Sequence, residues 1–208
     1  MEPTPTHPEN RRRVQRATES AVQEVRETAG EVKDAAKDVV ATIKPKLRGW
    51  LHLGTTPLAL AAGIVLVALA PTTTARVAAA VFAITAVLLF GTSALYHRGS
   101  GHFSERTSAV LKRLDHANIF LIIAGTYTPF AVLLLPPGQG RTLLWLVWGG
   151  AIAGVLFRVL WVGAPRWLYT PVYVALGWVA VFYLPGFWRN GGAVVVTLIA
   201  AGGLLYTL

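Results

Sequence analysis

Hydrophobic residues dominate the chain from residue 53 onward, where they form long runs separated by short polar or proline-containing connections. Each run has 17 to 21 residues, about the length that an α-helix needs to cross a hydrocarbon layer of ~30 Å. We therefore predict an all-α protein, a polytopic transmembrane helical bundle. Its six predicted spans cover residues 53–70, 77–96, 115–135, 142–161, 167–184 and 192–208.

The N-terminal region, residues 1–47, has a different pattern. Within residues 11–43, apolar side chains recur at steps of three and four among charged ones, which predicts an amphipathic helix. The apolar stripe is narrow and built from small residues. Two interpretations stay open, a solvated helix or a helix that lies on anionic lipid or on a partner. Pro45 and Gly49 are expected to end this helix before the transmembrane domain, residues 48–208.

The composition agrees with a membrane protein. Hydrophobic residues make up 54% of the chain and charged residues 14%, against ~25% charged residues in soluble domains. The absence of cysteine excludes disulfides and thiolate metal ligands. Residues 51–208 carry nine Lys/Arg against two Asp/Glu. Because this excess lies between apolar runs, it indicates membrane orientation, and we expect the lipid bilayer, not nucleic acid, as partner.

The basic residues also predict the orientation. With the N-terminus in the cytoplasm, sixteen Lys/Arg fall on the cytoplasmic side, while Arg76, Arg141 and Arg189 fall outside. Loops rich in Lys and Arg remain on the cytoplasmic side of membrane proteins. We therefore expect a multi-pass protein of the cell (inner or plasma) membrane with a cytoplasmic N-terminus.

Polar side chains at the facing ends of the second and third spans form the candidate site. Ser93 and His97 lie four residues apart and share one helix face, and Asp115 and His116 open the next span. A histidine at a helix C-terminus and an aspartate near an N-terminus also have plain structural roles. However, ionisable groups at membrane depth usually face a partner or a cavity. Imidazole and carboxylate are zinc ligands, so a metal site is the functional alternative.

Three segments carry a resemblance to a known family: GTSALYH at 91–97, LDHANIFLIIAGTYTPF at 114–130 and WLHLGTTPLAL at 50–60. They resemble the hemolysin III family, bacterial relatives of the progestin and adipoQ receptors. The resemblance covers about residues 48–208.

The resemblance implies a seven-helix bundle with a zinc site on its cytoplasmic side. It assigns His97 as a zinc ligand, Asp115 as the carboxylate that activates the water on the zinc, and Ser93 as a hydroxyl that holds this water. Two further ligands of the family lie in an HxxxH motif on its seventh helix. The wider superfamily includes ceramide-cleaving amidases, so the resemblance implies a lipid substrate and zinc-dependent hydrolysis of its amide.

This chain departs from the family pattern after His116, its last histidine. The HxxxH motif is absent from the sequence, and we expect a chain truncated before the seventh helix, with six of seven spans. His116 follows Asp115 directly and points about 100° away on a helix, so it is a poor replacement. Since zinc sites use three or four protein ligands, the resemblance implies an incomplete site.

Three other features have ordinary structural explanations. We interpret His52, before the first span, as an interfacial residue, with the alternative that it faces the same inner cavity as the polar cluster. AGTYTPF at 124–130 is interpreted as a kink and packing device around Pro129, whose missing N–H frees a backbone carbonyl, with the wall of a pocket as the alternative. Arg158, near the end of the fourth span, is expected to extend toward lipid phosphate.

Three functions remain open from the sequence. The leading hypothesis is a hemolysin III-type integral membrane protein with an incomplete zinc-dependent lipid-amide hydrolase site. The first alternative is a pore-forming, cytolytic protein without catalysis. The second is a receptor-like or structural membrane component. Whether the chain is an enzyme is not decided by these residues.

Overall fold

The computed structural model describes residues 8–99, 101–161 and 166–207. The described residues form α-helices and one 3₁₀ turn, without a β-strand among them. They divide into two compact units between Leu47 and Arg48. Five helical stretches are long and apolar enough to cross a membrane. The prediction of an all-α, polytopic helical bundle is confirmed.

Helix α1 extends from Pro8 to Leu69. The expected helix end at Pro45 and Gly49 is wrong, because α1 continues through both positions. Gly49 instead allows α1 to approach the following helix closely. A Cβ atom at this position would lie 3.1 Å from the Cβ atom of His97 and 3.1 Å from the Cγ atom of Arg98. The membrane-compatible part of α1 starts at Lys46.

The N-terminal unit consists of the polar part of α1. Its described side chains are exposed, and they pair with neighbours one turn away. Lys37 donates to Asp34 at 2.6 Å, and Gln23 donates to Glu27 at 2.7 Å. Such pairs each stabilise an exposed helix by a few tenths of a kcal/mol, about 0.2–0.5 kcal/mol.

Helices α2, Thr73–Arg98, and α3, Glu105–Leu134, form an antiparallel hairpin. The N-cap of α3 is Ser104, whose hydroxyl accepts a hydrogen bond from the N–H of Thr107 at 3.2 Å. Helix α3 therefore begins ten residues before the predicted span. Asp115 lies in the third turn, where the amides are already bonded within the helix, so the capping role considered for it is excluded.

A buried asparagine sets the register of this hairpin. The side-chain amide of Asn118 donates to the backbone carbonyl of Leu88 at 2.9 Å and to the hydroxyl of Thr92 at 3.0 Å. A polar group inside an apolar bundle is costly without partners. These two bonds therefore favour one alignment of α2 and α3, and that alignment brings the end of α2 beside the start of α3.

Helix α4, Pro137–Leu160, packs along α3. Gly154 lies against the ring of Phe120, and Gly140 lies against the backbone of Ala131, with no room for a Cβ atom at either glycine. Small residues let membrane helices approach closely. The buried core between α3 and α4 contains Phe120, Ala124, Ala131, Leu143, Val147 and Ala151.

The last apolar stretch, Trp167–Leu205, covers the predicted span 167–184 and the predicted span 192–208 as far as residue 205. It consists of α5, Arg166–Trp178, a 3₁₀ turn, Val179–Tyr183, and α6, Leu184–Thr207. Pro185 was expected in a connection between spans. It lies instead in the first turn of α6, where its missing N–H is not needed. Inside α6, Gly192 has a φ of 71°, which interrupts the helix geometry.

Tyr127 of the AGTYTPF segment forms hydrogen bonds with the backbone where α5 ends and the 3₁₀ turn begins. Its hydroxyl donates to the carbonyl of Gly177 at 2.5 Å and accepts from the N–H of Ala180 at 2.6 Å. The neighbouring Thr128 hydroxyl accepts from the indole N–H of Trp148 on α4 at 3.1 Å. The segment thus connects α3 to three other elements, α4, α5 and the 3₁₀ turn, in agreement with its interpretation as a packing device.

Candidate functional site

His97 and Asp115 meet at the end of the bundle where α2 ends and α3 begins. Nε2 of His97 lies 3.9 Å from Oδ2 of Asp115, and the two side chains are 13% and 12% exposed. Nε2 is buried and has no hydrogen-bond partner among the described residues. The separation is too long for a hydrogen bond. It is close to the ~3.3 Å that separates two ligands of one tetrahedral ion with bonds of ~2.0–2.1 Å.

Ser93 lies one turn before His97 on α2 and is 2% exposed. Residues four apart share one face of a helix, so the hydroxyl and the imidazole project from the same side. The three residues singled out from the sequence therefore occupy adjoining faces of α2 and α3. Their assignment as ligand, carboxylate and water-holding hydroxyl stays a prediction.

His52 on α1 is an additional member of this cluster that sequence reasoning undervalued. Its Nδ1 atom is buried without a hydrogen-bond partner among the described residues. Its ring contacts Phe90 edge-on, with 5.4 Å between centroids. The charges that act on it come from Arg48, Asp115 and His97. The position of His52 in the sequence, just before the first span, could have indicated that it belongs to the cluster. The start of the apolar part of α1 and the end of α2 meet at this end of the bundle.

His116 projects in a different direction from Asp115. Its Nδ1 lies 2.6 Å from the carbonyl of Lys112. Because a carbonyl can only accept, this nitrogen carries the proton. The ring faces Tyr169 of α5 edge-on at a centroid distance of 6.5 Å. The helical-wheel argument against His116 as a replacement ligand agrees with this placement.

The described residues contribute only part of a zinc ligand set. Within residues 8–99, 101–161 and 166–207, no three His, Asp or Glu side chains converge closely enough to hold one ion. A catalytic zinc ion usually has three protein ligands. The unpartnered imidazole nitrogen of His97 and the nearby carboxylate of Asp115 fit as two such ligands, and these residues alone do not complete the site.

A separate apolar cavity of about 450 Å³ lies deeper in the bundle. None of Ser93, His97 and Asp115 lines it. The first α3 residue in its wall, Ile122, is seven residues from Asp115, or ~10 Å along the helix. Its walls come from α2, α3, the region around the 3₁₀ turn and α6, and include Leu89, Ile122, Phe130, Trp178, Phe187 and Leu198.

Arg158 on α4 does not extend to the surface as the sequence led us to expect. It is 5% exposed, and its guanidinium carbon lies 4.5 Å from the centroid of the Tyr169 ring. Packing of α5 beside the end of α4 encloses the side chain, which a sequence pattern alone does not predict.

Comparison with known proteins agrees with the resemblance in the motifs. A family model described as "Haemolysin-III related" matches residues 40–208. The chain is 32% identical over 128 residues to a protein named Hemolysin-3 homolog from Bacillus subtilis (strain 168), covering 62% of this chain and 59% of that protein. It is 34% identical over 137 residues to Hemolysin-3 from Bacillus cereus, covering 66% and 61%. No solved structure gave a significant match.

The matched region therefore spans about three fifths of the length of the two curated relatives. The family match covers most of the chain, including the helices that carry the candidate site. The chain is thus a multi-pass membrane protein that belongs to the Haemolysin-III related family.

Proposed function

We propose that this membrane protein uses His97 and Asp115 as two ligands of a divalent metal site of the zinc-dependent lipid-amide hydrolase type. The observation that carries the proposal is the buried, unpartnered Nε2 of His97 at 3.9 Å from the Asp115 carboxylate. A neutral imidazole nitrogen and a carboxylate oxygen together attract a divalent cation, and burial of both side chains strengthens that attraction.

Each residue has a distinct role in the proposal. His97 would hold the ion through Nε2, Asp115 would hold the ion or accept a proton from a water molecule beside it, and Ser93 would orient that water from the same face of α2. A zinc ion bound there would act as a Lewis acid on an amide carbonyl. Further ligands have to complete the set, because the described residues contain no third one in place.

The apolar cavity supports a lipid as the substrate class. Its volume of about 450 Å³ lies within the range of small-ligand pockets, about 300–1,000 Å³. Its nearest wall residue on α3, Ile122, lies about two helical turns from Asp115. A hydrocarbon chain in the cavity would place a polar headgroup toward the end of the bundle that holds His97.

Metal content of the purified chain tests the site. We expect the wild-type protein, after exposure to Zn²⁺ and desalting, to retain more zinc than His97→Ala, and Asp115→Asn to be reduced as well. His102→Ala is the matched control, because His102 is exposed and lies outside the cluster. Equal zinc retention by wild-type and His97→Ala protein, with unchanged helical circular dichroism, would contradict the proposal.

Hydrolysis is tested separately with a fluorogenic long-chain N-acyl amide in detergent micelles. The expected activity is inhibited by a chelator, restored by Zn²⁺ and lost in Asp115→Asn. Zinc retention without any such activity would restrict the proposal to metal binding and remove its enzymatic part.

Membrane perturbation is the second candidate, and the name of one relative, Hemolysin-3, favours it. In this case the bundle itself permeabilises membranes. Purified protein would then release a dye from liposomes, and neither a chelator nor Asp115→Asn would reduce the release. Leakage that depends on zinc and on Asp115 would argue against this candidate.

A further inference from the structure

Arg158 is a buried cation for which the described residues provide no anion. The residue is 5% exposed, and its Nε atom is buried and has no hydrogen-bond partner in the described parts of the chain. A guanidinium remains charged at any physiological pH. Burial of an unpaired charge opposes folding, so this arrangement indicates that something outside the described residues supplies an acceptor.

The chain has few acidic groups that could pair with it. Residues 48–208 contain only two carboxylate side chains, Glu105 and Asp115. Asp115 faces His97 of α2, and Glu105 is exposed in the first turn of α3. Neither forms an ion pair with Arg158 among the residues described. The acceptor for the Arg158 guanidinium is therefore neither of these two carboxylates.

Tyr169 orients the guanidinium. The guanidinium carbon lies 4.5 Å from the centroid of the Tyr169 ring, a favourable cation–π distance. The ring covers one face of the planar group and provides no acceptor for the N–H groups at its edge. An anion must therefore approach along that edge, where two parallel N–H donors match two oxygens of one ligand.

Helix α3 carries a further arginine, Arg113, close in sequence to a residue that contacts Tyr169. That residue is His116, whose ring lies edge-on to the ring of Tyr169 with 6.5 Å between the centroids. Arg113 lies three residues before His116 and so on a neighbouring part of the same helix face. The Nε atom of Arg113 is also buried without a hydrogen-bond partner among the described residues.

The level of the cluster in the membrane favours phosphate as the anion. Arg158 lies in the last turn of α4, and Tyr169 lies in the first turn of α5. Two tryptophans at the same helix ends, Trp161 and Trp167, are 52% and 73% exposed. Exposed tryptophans are enriched where membranes meet water, and basic pockets between helix ends at this level bind lipid headgroups.

We propose that Arg158, stacked on Tyr169 and assisted by Arg113, forms a binding site for an anionic phosphate group between the ends of α3, α4 and α5. The site is distinct from the His97–Asp115 pair, and it does not depend on metal binding. The phosphate belongs either to an anionic phospholipid headgroup or to a free phosphate compound, and both use the same contacts.

Thermal unfolding of the full chain in uncharged detergent tests the site. The probes are short-chain phosphatidylglycerol, a short-chain diacylglycerol that lacks the phosphate, and inorganic phosphate. Phosphatidylglycerol is expected to raise the unfolding midpoint, since a ligand that binds the native state stabilises it. The diacylglycerol is expected to leave the midpoint unchanged.

Variants then locate the effect. Arg158→Met is expected to weaken the apparent affinity by about tenfold or more, the size of one lost charge-assisted contact. Its midpoint without phosphate should equal or exceed that of the wild type, because the variant removes an unpaired buried charge. Arg141→Gln is the control, since Arg141 is an exposed arginine at the other end of α4; this variant should respond like the wild type.

Each result decides. A response to both phosphatidylglycerol and inorganic phosphate supports recognition of the phosphate itself, a response to the lipid alone supports a headgroup site, and a response to phosphate alone supports a free anion. No response, or the same affinity in Arg158→Met as in the wild type, overturns the proposal.

If Arg158→Met does not fold, Arg158→Lys keeps the charge without the two-donor edge. Wild-type affinity in that variant overturns the proposal, and weakened affinity supports it.

Discussion

Two groups of polar side chains in the interior of this bundle differ in their hydrogen bonding. Asn118, Tyr127 and Thr128 each form hydrogen bonds that connect α3 to a neighbouring helix or to the 3₁₀ turn. His97 and Arg158 retain buried nitrogens without a partner in the described residues. Native proteins satisfy most buried polar atoms, so the exceptions need an explanation. Both lie at the end of the bundle where α2 and α4 end.

The Tyr127 hydroxyl offers a test of the first group. Tyr127→Phe removes its bonds to Gly177 and Ala180, and we expect a loss of about 1–3 kcal/mol in the free energy of unfolding, since a buried N–H is left unpaired. Unfolding of the wild type and the variant in mixed micelles measures this difference in the free energy of unfolding. Tyr183→Phe is the control, because no hydrogen bond is seen for that hydroxyl among the described residues; an equal effect of both variants would contradict the role of Tyr127.

Among the elements, α3 is central because close packing surrounds it on several sides. Its contacts with α4 depend on residues that lack bulk. Gly154 has the ring of Phe120 where a Cβ atom would be, whereas Gly149, on the same helix, has nothing within 4 Å of that position. Close helix packing therefore requires glycine at position 154 of α4 and does not require it at position 149.

This difference predicts opposite effects of the same substitution. Gly154→Ala should destabilise the protein by about 1–3 kcal/mol, because the methyl group forces α3 and α4 apart or displaces Phe120. Gly149→Ala should be neutral or stabilising by up to about 1 kcal/mol, because alanine favours the helix. Unfolding of both variants under the same conditions measures the contrast, and a Gly154→Ala protein as stable as Gly149→Ala would refute the packing argument.

At the scale of the whole molecule, most basic residues of the bundle lie at one of its ends. The contacts Arg98–Trp50, His97–Asp115 and Arg158–Tyr169 all lie there. The distribution of Lys and Arg leads us to expect this end in the cytoplasm. The candidate metal pair and the proposed phosphate site would then both face the cytoplasmic leaflet, whose anionic lipids attract basic side chains.

The natural absence of cysteine makes this orientation easy to test. Single cysteines are introduced as His102→Cys, between α2 and α3, and Gly138→Cys, at the start of α4; both positions are exposed. In intact cells, an impermeant maleimide should label Gly138→Cys and not His102→Cys, and lysis should make both reactive. The reverse labelling would invert the expected topology.

The sequence led to the family, the helical class and the pair His97–Asp115. Each depended on local information: apolar run length, motif letters, and positions at facing ends of a short hairpin. The sequence did not predict that α3 begins just after its N-cap Ser104, because the first turns of this helix are polar and have the low hydropathy of a loop. Nor did it show that α1 continues through Pro45, since the propensity of a single residue is a weak guide when its neighbours are helical.

What the sequence determined by itself was that the chain forms membrane-spanning helices, because a long apolar segment must satisfy its own backbone hydrogen bonds in lipid. Only the tertiary structure decided which side chains meet. His52 and His97 are 45 positions apart, and Arg158 reaches Tyr169 across the connection from α4 to α5. Such meetings depend on the rotation and register of whole helices, which distant contacts such as Asn118 with Leu88 and Gly154 with Phe120 fix together.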